Sequence, residues 1–480
     1  MRSWKTHQQN LYPHQALAPP VNDRPVTDKR RPYRIICNPT AGGAETLRSA
    51  RGRIRIDALK SHVVAHLPVL ASRPLRGVLA LVSGSATGQL VALAAAPILA
   101  RIYSPASFGE FSYVISLCMI LVTVASLSFE AAVPLAGSTC DAQRLTRLAL
   151  ASAGLTTLVV TLLVALFSPL ITQAAGFEMT PWVWWLPALL WVTSVFVVLS
   201  QAALRDRSYY PVARRTLTQN VGTSVTQVGL GTVTQSAAGL LTGQFVGRLL
   251  GIVSLGSTVH ELLSRPTEGG YRGTIKRYWR FPLVYTPSAA LNVLGAQLPL
   301  ILIGIGFGVQ SAGYLGVAQR IVVIPAGLIG IAVTQVFSAE ISSRLRSGVR
   351  ENRSIYIRAS IRLGTLGVCL TVGVVTLSPV VFPAALGQQW VPAGAFAQAM
   401  GLSAGLGLLA VPTSFVLVAY QRTVVFLFLA VSRIALILGF GWLAYANGMG
   451  AVATIWAMYA GQAVNYAATW IIGLRVVSLE

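Results

Sequence analysis

The feature that most constrains this 480-residue chain is a succession of long apolar stretches. Residues 77–100 and 282–307 each exceed the ~20 residues of helix that span a ~30 Å hydrocarbon core. Within lipid every backbone N–H and C=O must be satisfied inside the segment, so stretches of this length are helices. Composition agrees: 54% of residues are hydrophobic and 11% charged, against about 25% charged in a soluble domain. The chain reads as an all-α integral membrane protein.

Twelve apolar segments follow one another: 77–100, 108–135, 145–168, 181–204, 211–233, 238–259, 282–307, 311–338, 360–385, 392–420, 424–446 and 450–474. The connections test that count. The loop after segment 2 holds Arg144 and Arg147, and the loop after segment 4 holds Arg205, Arg207, Arg214 and Arg215. The loop after segment 6 holds Arg265, Arg272, Lys276, Arg277 and Arg280. The loop after segment 8 holds Arg344, Arg346, Arg350, Arg353 and Arg358, and Arg422 follows segment 10. The alternate set holds Arg101 and no other Lys or Arg. Positive loops stay cytosolic, so both chain ends are expected in the cytosol. Trp182, Trp184, Trp185 and Trp390 then fall at the outer interface, and Tyr278 and Trp279 at the inner one. The same rule accounts for the net charge of +23 without nucleic acid as a partner.

Residues 1–75 are basic and carry no sustained helical period, so they read as a largely disordered cytosolic extension. Residues 34–43 (RIICNPTAGG) look like the strand-then-glycine turn of lipid kinases, but membrane segments begin where a catalytic domain would have to follow. Residues 76–262 would form an N-terminal lobe, 263–280 a basic linker and 281–480 a C-terminal lobe. The four cysteines, Cys37, Cys118, Cys140 and Cys369, form no CxxC pair, so neither a metal nor a cofactor is expected.

Segment 2 enters through residues 107–114 (SFGEFSYV) and segment 8 through residues 311–318 (SAGYLGVA). The offset is 204, and Gly109 falls on Gly313. Two six-helix halves in the same orientation fit a parallel repeat about an axis along the membrane normal, the architecture of many transporters.

Residues 99–111 (LARIYSPASFGEF) resemble the opening of the polysaccharide flippases. These are the O-antigen and exopolysaccharide exporters of the multidrug/oligosaccharidyl-lipid/polysaccharide superfamily. Residues 308–314 (GVQSAGY), Gln319, Arg320, Pro325 and the 205–215 loop extend the likeness over about residues 77–475. The resemblance implies a multi-pass protein of the bacterial cytoplasmic membrane with two six-helix lobes rocking about a central cationic cavity. Its cargo would be a polyprenyl-diphosphate-linked glycan, its surroundings membrane lipids, and its neighbours a glycan polymerase and glycosyltransferases. Segment 1 lacks the Asp of the cation-coupled drug exporters, so their ion site is not carried over. The two extra helices of the lipid II flippases are absent too.

Three arginines lie about nine or ten residues inside their segments: Arg248 in segment 6, Arg320 in segment 8 and Arg433 in segment 11. At ~1.5 Å per residue each would sit near mid-membrane, where a charge faces water or a partner. Alternatively, each is tied to backbone carbonyls and a neighbouring hydroxyl. Gln244 shares the face of Arg248, beside a Gly243/Gly247/Gly251 stripe of the kind that packs helices closely. Gln89, Asn292 and Gln297 are sugar-contact or interhelical hydrogen-bond residues. Ser116, Thr123 and Glu130 recur every seven residues on segment 2; Glu130 and Arg101 are candidates for coupling or gating. The expected function is export of a lipid-linked oligosaccharide. Small-molecule export is the alternative within transport, and a membrane-embedded polymerase or glycosyltransferase the alternative outside it. An enzyme is disfavoured, because the outer loops are short and nearly free of ionisable groups.

Overall fold

A computed structural model describes residues 73–175, 183–205, 209–256, 270–347, 352–420 and 422–479. The extension at 1–72, the glycine turn at 34–43, much of the linker, and Trp182, Arg207, Arg265 and Arg350 lie outside the described residues. Among those described, twelve long helices succeed one another within the unit Pro68–Glu480. They are α1 (Arg73–Ile102), α2 (Pro105–Ala125), α3 (Thr139–Ala175), α4 (Trp185–Arg205), α5 (Tyr209–Thr234) and α6 (Ala237–Val253). The second half holds α7 (Thr286–Phe307), α8 (Val309–Arg346), α9 (Arg353–Leu386), α10 (Val391–Thr413), α11 (Thr423–Ala446) and α12 (Ala451–Leu479). Seven are long and apolar enough to cross a membrane on length and composition alone. Polar members survive by packing inward: on α5, Gln227 is fully buried, and its Nε2 donates to the Leu240 carbonyl at 2.9 Å.

The packing repeats. In the first half α1 lies on α5, α5 on α6, α3 on α4, α4 on α6 and α2 on α4. The second half has the counterpart of each: α7 on α11, α11 on α12, α9 on α10, α10 on α12 and α8 on α10. The halves meet chiefly where α2 crosses α8. Local sequence dictates how that crossing starts. Pro105 has the φ of a first helical residue, and the Ser104 hydroxyl caps the free Ser107 N–H at 3.2 Å. Gly308, at φ +85°, makes the sharp turn between α7 and α8 that a side chain would resist.

Gly109 then faces the Val309 carbonyl, and Gly313 faces the Pro105 carbonyl, with no room for a methyl group at either. Residues 105 and 309, like 109 and 313, are 204 apart, so each contact is the other's image. Gly316 likewise packs on Ser112, its own equivalent. The sequence repeat is therefore a two-fold axis passing between α2 and α8.

Several extents differ from expectation. Segment 2 does not continue to 135: α2 stops at Ala125, and Leu127 and Ser128 take left-handed backbone conformations (φ 51° and 53°) before a short helix, Phe129–Ala132. The Ser116/Thr123/Glu130 stripe is thereby broken. α6 ends at Val253 rather than near 259, capped at Ser254. Helices α8 and α9 run on past the apolar core and take Arg344 and Arg358 with them. Trp390 is not an interfacial anchor. It is fully buried between the halves, edge-on to Phe108 (5.3 Å) and Tyr314 (6.0 Å), and its indole N–H donates to the Ala100 carbonyl at 2.8 Å. Gln389 donates to the same carbonyl at 2.8 Å. Together these contacts hold the halves shut at the end bearing the α1–α2, α7–α8 and α9–α10 turns, here termed the neutral end.

A methyl group at the crossing must push backbone apart. Gly109→Ala and Gly313→Ala are each expected to destabilise the protein by about 1–3 kcal/mol, read as a lower thermal midpoint in detergent. Gly373→Ala, at a helical site with nothing within 4 Å, should leave the midpoint unchanged or slightly higher.

Candidate functional site

The Gly243/Gly247/Gly251 stripe is a packing surface, as small residues at this spacing suggest. It seats α6 on Gln227, Thr223 and Gln219 of α5, and Gly251 lies against the Phe196 ring of α4. This close approach brings two cations to one aromatic ring. The guanidinium of Arg248 lies 4.7 Å from the centre of the Phe196 ring, and that of Arg215, on α5, lies 4.6 Å from the same ring. Arg215 was expected in a basic loop; α5 begins at Tyr209 and carries it more than a turn inside the helix. The signal that could have found it is its spacing: Arg215 precedes Gln219 by four residues, on the face that meets α6.

The shorter α6 also moves Arg248. It sits five residues, or roughly 8 Å at 1.5 Å per residue, from the helix end at Val253. It thus lies on the half of α6 towards the basic end, level with Arg215 at the shared Phe196 ring. Arg215 Nη2 reaches the Thr216 hydroxyl at 3.3 Å, whereas Arg215 Nε and Nη1 and Arg248 Nε are buried with no hydrogen-bond partner. Among the described residues the ion pairs of Asp141 and Glu340 lie elsewhere, with Arg144, Arg277 and Arg344.

The electrostatics favour an added anion. Both guanidinium carbons lie within 4.7 Å of one ring centre, so they are at most about 9 Å apart. At an effective dielectric of ~20 their repulsion is about 2 kcal/mol. Cation–π attraction offsets some of this, at about 0.5–2 kcal/mol per contact. It leaves the buried N–H donors unsatisfied. An oxyanion reaching both guanidiniums would relieve both deficits through charge-assisted hydrogen bonds.

The other two arginines stand in different settings. Arg433, only 8% exposed, donates from Nη2 to the Asn292 carbonyl and to Asn292 Oδ1 (3.0 Å), in a space left open by Gly295. The structure thus unites two residues singled out separately by sequence. The partners are a carbonyl and an amide oxygen of one residue, with no hydroxyl among the hydrogen bonds described, and Arg433 Nε remains buried and unpaired. Arg320, half-buried on α8, lies 3.5 Å through Nη2 from the Ala92 carbonyl of α1, across the two halves. Gln297 accepts from Ser116 at 3.0 Å, also across the halves. Gln89 and Gln244 are half-buried on α1 and α6, and Arg101 is exposed at the neutral end. Glu130, beyond the end of α2, accepts from Ser126 at 2.5 Å. No described contact joins Arg248 to Arg320 or Arg433.

Residues 98–395 match the model of a family described as polysaccharide biosynthesis protein. The chain belongs to this family. It is also similar to the teichuronic acid biosynthesis protein TuaB of Bacillus subtilis (strain 168), with 28% identity over 149 residues, 31% of this chain and 30% of that protein. The match therefore spans less than a third of the relative's length. Among solved structures the fold resembles the lipid II flippase MurJ in an inward closed conformation. The TM-score is 0.64 at 13% identity, covering 83% of this chain and 90% of that one. It also resembles an inward-facing multidrug resistance MATE transporter (TM-score 0.62, 14% identity, 82% and 95% covered). At these identities the likeness is one of fold, and that fold is a multi-pass membrane transporter's.

Removing the Asn292 side-chain acceptor leaves Arg433 with the backbone carbonyl alone. Asn292→Ala is expected to cost about 1–3 kcal/mol, measured as a lower thermal midpoint and lower membrane abundance. Arg433→Lys should lower the midpoint as well, because the lysine ammonium ends one bond short of the Nη2 that makes both contacts.

Proposed function

We propose that this protein is a flippase. It carries a lipid-diphosphate-linked oligosaccharide from the cytosolic to the outer leaflet of a bacterial cytoplasmic membrane, for assembly of a cell-surface polysaccharide. The basic end of the bundle is the cytosolic end, in keeping with the placement of arginine-rich connections. Closure of the neutral end by the α2–α8 crossing and by Trp390 then corresponds to a state whose access is from the cytosol, where such a cargo is made. Membership of a polysaccharide biosynthesis family supports the glycan, and the fold supports transport by two halves moving about the crossing.

One observation carries the reading: the half-buried Arg215/Arg248 pair over Phe196, mutually repulsive, with buried N–H donors unpaired and no carboxylate partner among the described residues. A diphosphate presents closely spaced oxyanions, which suit two guanidiniums on one ring. A cationic drug would be repelled by this pair. Arg320, at the seam between the halves, and Gln89, Gln244 and Gln297 are proposed to contact the glycan as it passes. The polymerase and glycosyltransferases of the same glycan are the proposed neighbours in the membrane.

The test is glycan export in cells lacking their own flippase. Arg215→Gln combined with Arg248→Gln should reduce surface glycan at least tenfold at unchanged protein level, with lipid-linked precursor accumulating inside. Arg248→Lys keeps charge but loses the fork and should fall between. Normal export by the double variant would remove the pair from the binding site.

A further inference from the structure

Between the halves, the described part of the linker forms a short helix, Tyr271–Tyr278, followed by a π-turn, Phe281–Tyr285, that leads into α7. Its residues fall into stripes four apart. Thr274 and Tyr278 are buried, Tyr278 in the cluster formed by Phe129, Ala132, Val133 and Leu145 of the first half. Arg277 faces Asp141 at 3.4 Å, and Asp141 also holds Arg144 at 3.5 Å. The helix is thus fastened to the first half by one face.

The other two stripes are exposed. Tyr271, Ile275 and Trp279 form an apolar, aromatic one, extended by Leu283, Val284 and Tyr285. Arg272, Lys276 and Arg280 form a basic one beside it, with Arg280 5.8 Å from the Trp279 ring centre. Among the described residues the carboxylate of this region, Asp141, is engaged by Arg277 and Arg144 and not by the basic stripe. Water is a poor environment for six large apolar side chains in fifteen residues. A lipid interface suits both stripes at once: aromatic and aliphatic groups enter the acyl boundary while the cations stay level with the phosphates.

We infer that the linker helix is a binding site for anionic phospholipid of the leaflet at the basic end, with Arg272, Lys276 and Arg280 holding the headgroups and Ile275 and Trp279 seated among the chains. The occupant is a negatively charged lipid rather than a soluble anion, because the basic stripe comes with an apolar one that a soluble anion cannot cover. Since the helix is fastened to the first half and continues into the second, the lipid holds the connection between them at a fixed depth. The inference stands apart from the identity of the cargo.

The test is amide hydrogen exchange across residues 271–280 of the full chain in nanodiscs. In discs with one-third phosphatidylglycerol, exchange should be several-fold slower than in discs of phosphatidylcholine alone. The difference should shrink at 0.5 M salt, where charges at a surface are screened. It should vanish in R272Q/K276Q/R280Q, and R272Q alone should reduce it. Inorganic phosphate added to phosphatidylcholine discs should give no protection. Equal exchange of the wild-type segment in the two lipids would overturn the inference, whatever the variants' stability. So would a difference that survives in the triple variant or is reproduced by phosphate.

Discussion

The structure depends on one close approach, the crossing of α2 and α8. Backbone meets backbone there because Gly109 and Gly313 lack side chains, and each contact is the two-fold image of the other. Pro105 and Ser104 set the start of α2, Gly308 sets the turn into α8, and Trp390 and Gln389 tie α10's entrance to the end of α1 at the same level. With those points fixed, each half packs its remaining helices in the same pattern. The joint also buries apolar side chains from both halves, among them Phe108, Val114, Leu300, Ile303 and Leu315, so the halves are braced by packing as well as by backbone contact.

The charged interior follows from the same packing. Glycines on α6 draw α5 and α4 together until Arg215, Arg248 and Phe196 share one site. Sealing guanidinium N–H donors of two half-buried cations away from water, with no carboxylate beside them among the described residues, destabilises a protein unless an anion arrives from outside. Arg433 shows the contrasting solution, a cation tied to a backbone carbonyl and an amide on the next helix. The three mid-segment arginines are therefore not equivalent. Arg433 braces α11 against α7, Arg320 reaches across the seam, and Arg248, with Arg215, has donors to offer.

Much of this was legible in the sequence. Twelve apolar segments and alternating loop charge gave the helix count, and the 204-residue offset gave the axis, because an offset survives when identity between repeats does not. What hydropathy could not give was helix ends and depth. Glu130 reads as part of α2 because apolar character continues through Leu127, where the backbone turns left-handed. Arg215 reads as a loop residue in the sequence because hydropathy does not show that α5 begins at Tyr209 and carries it. Trp390 reads as an interfacial ring from its position near a segment end, although lateral packing decides whether such a ring meets lipid or protein. The pairing of Arg215 with Arg248 depends on three helices meeting at Phe196, a tertiary fact with no local signature.

The most direct measurement is translocation by the purified protein. Proteoliposomes would carry a polyprenyl-diphosphate-linked oligosaccharide with a fluorescent label on the sugar, quenched from outside by a membrane-impermeant reductant. The account predicts that the protein brings the protected inner pool within reach of the reductant, at a rate well above that of protein-free vesicles. It also predicts that the same glycan on an uncharged lipid is moved poorly. Rates equal to those of empty vesicles, or equal movement of charged and uncharged lipids, would contradict it.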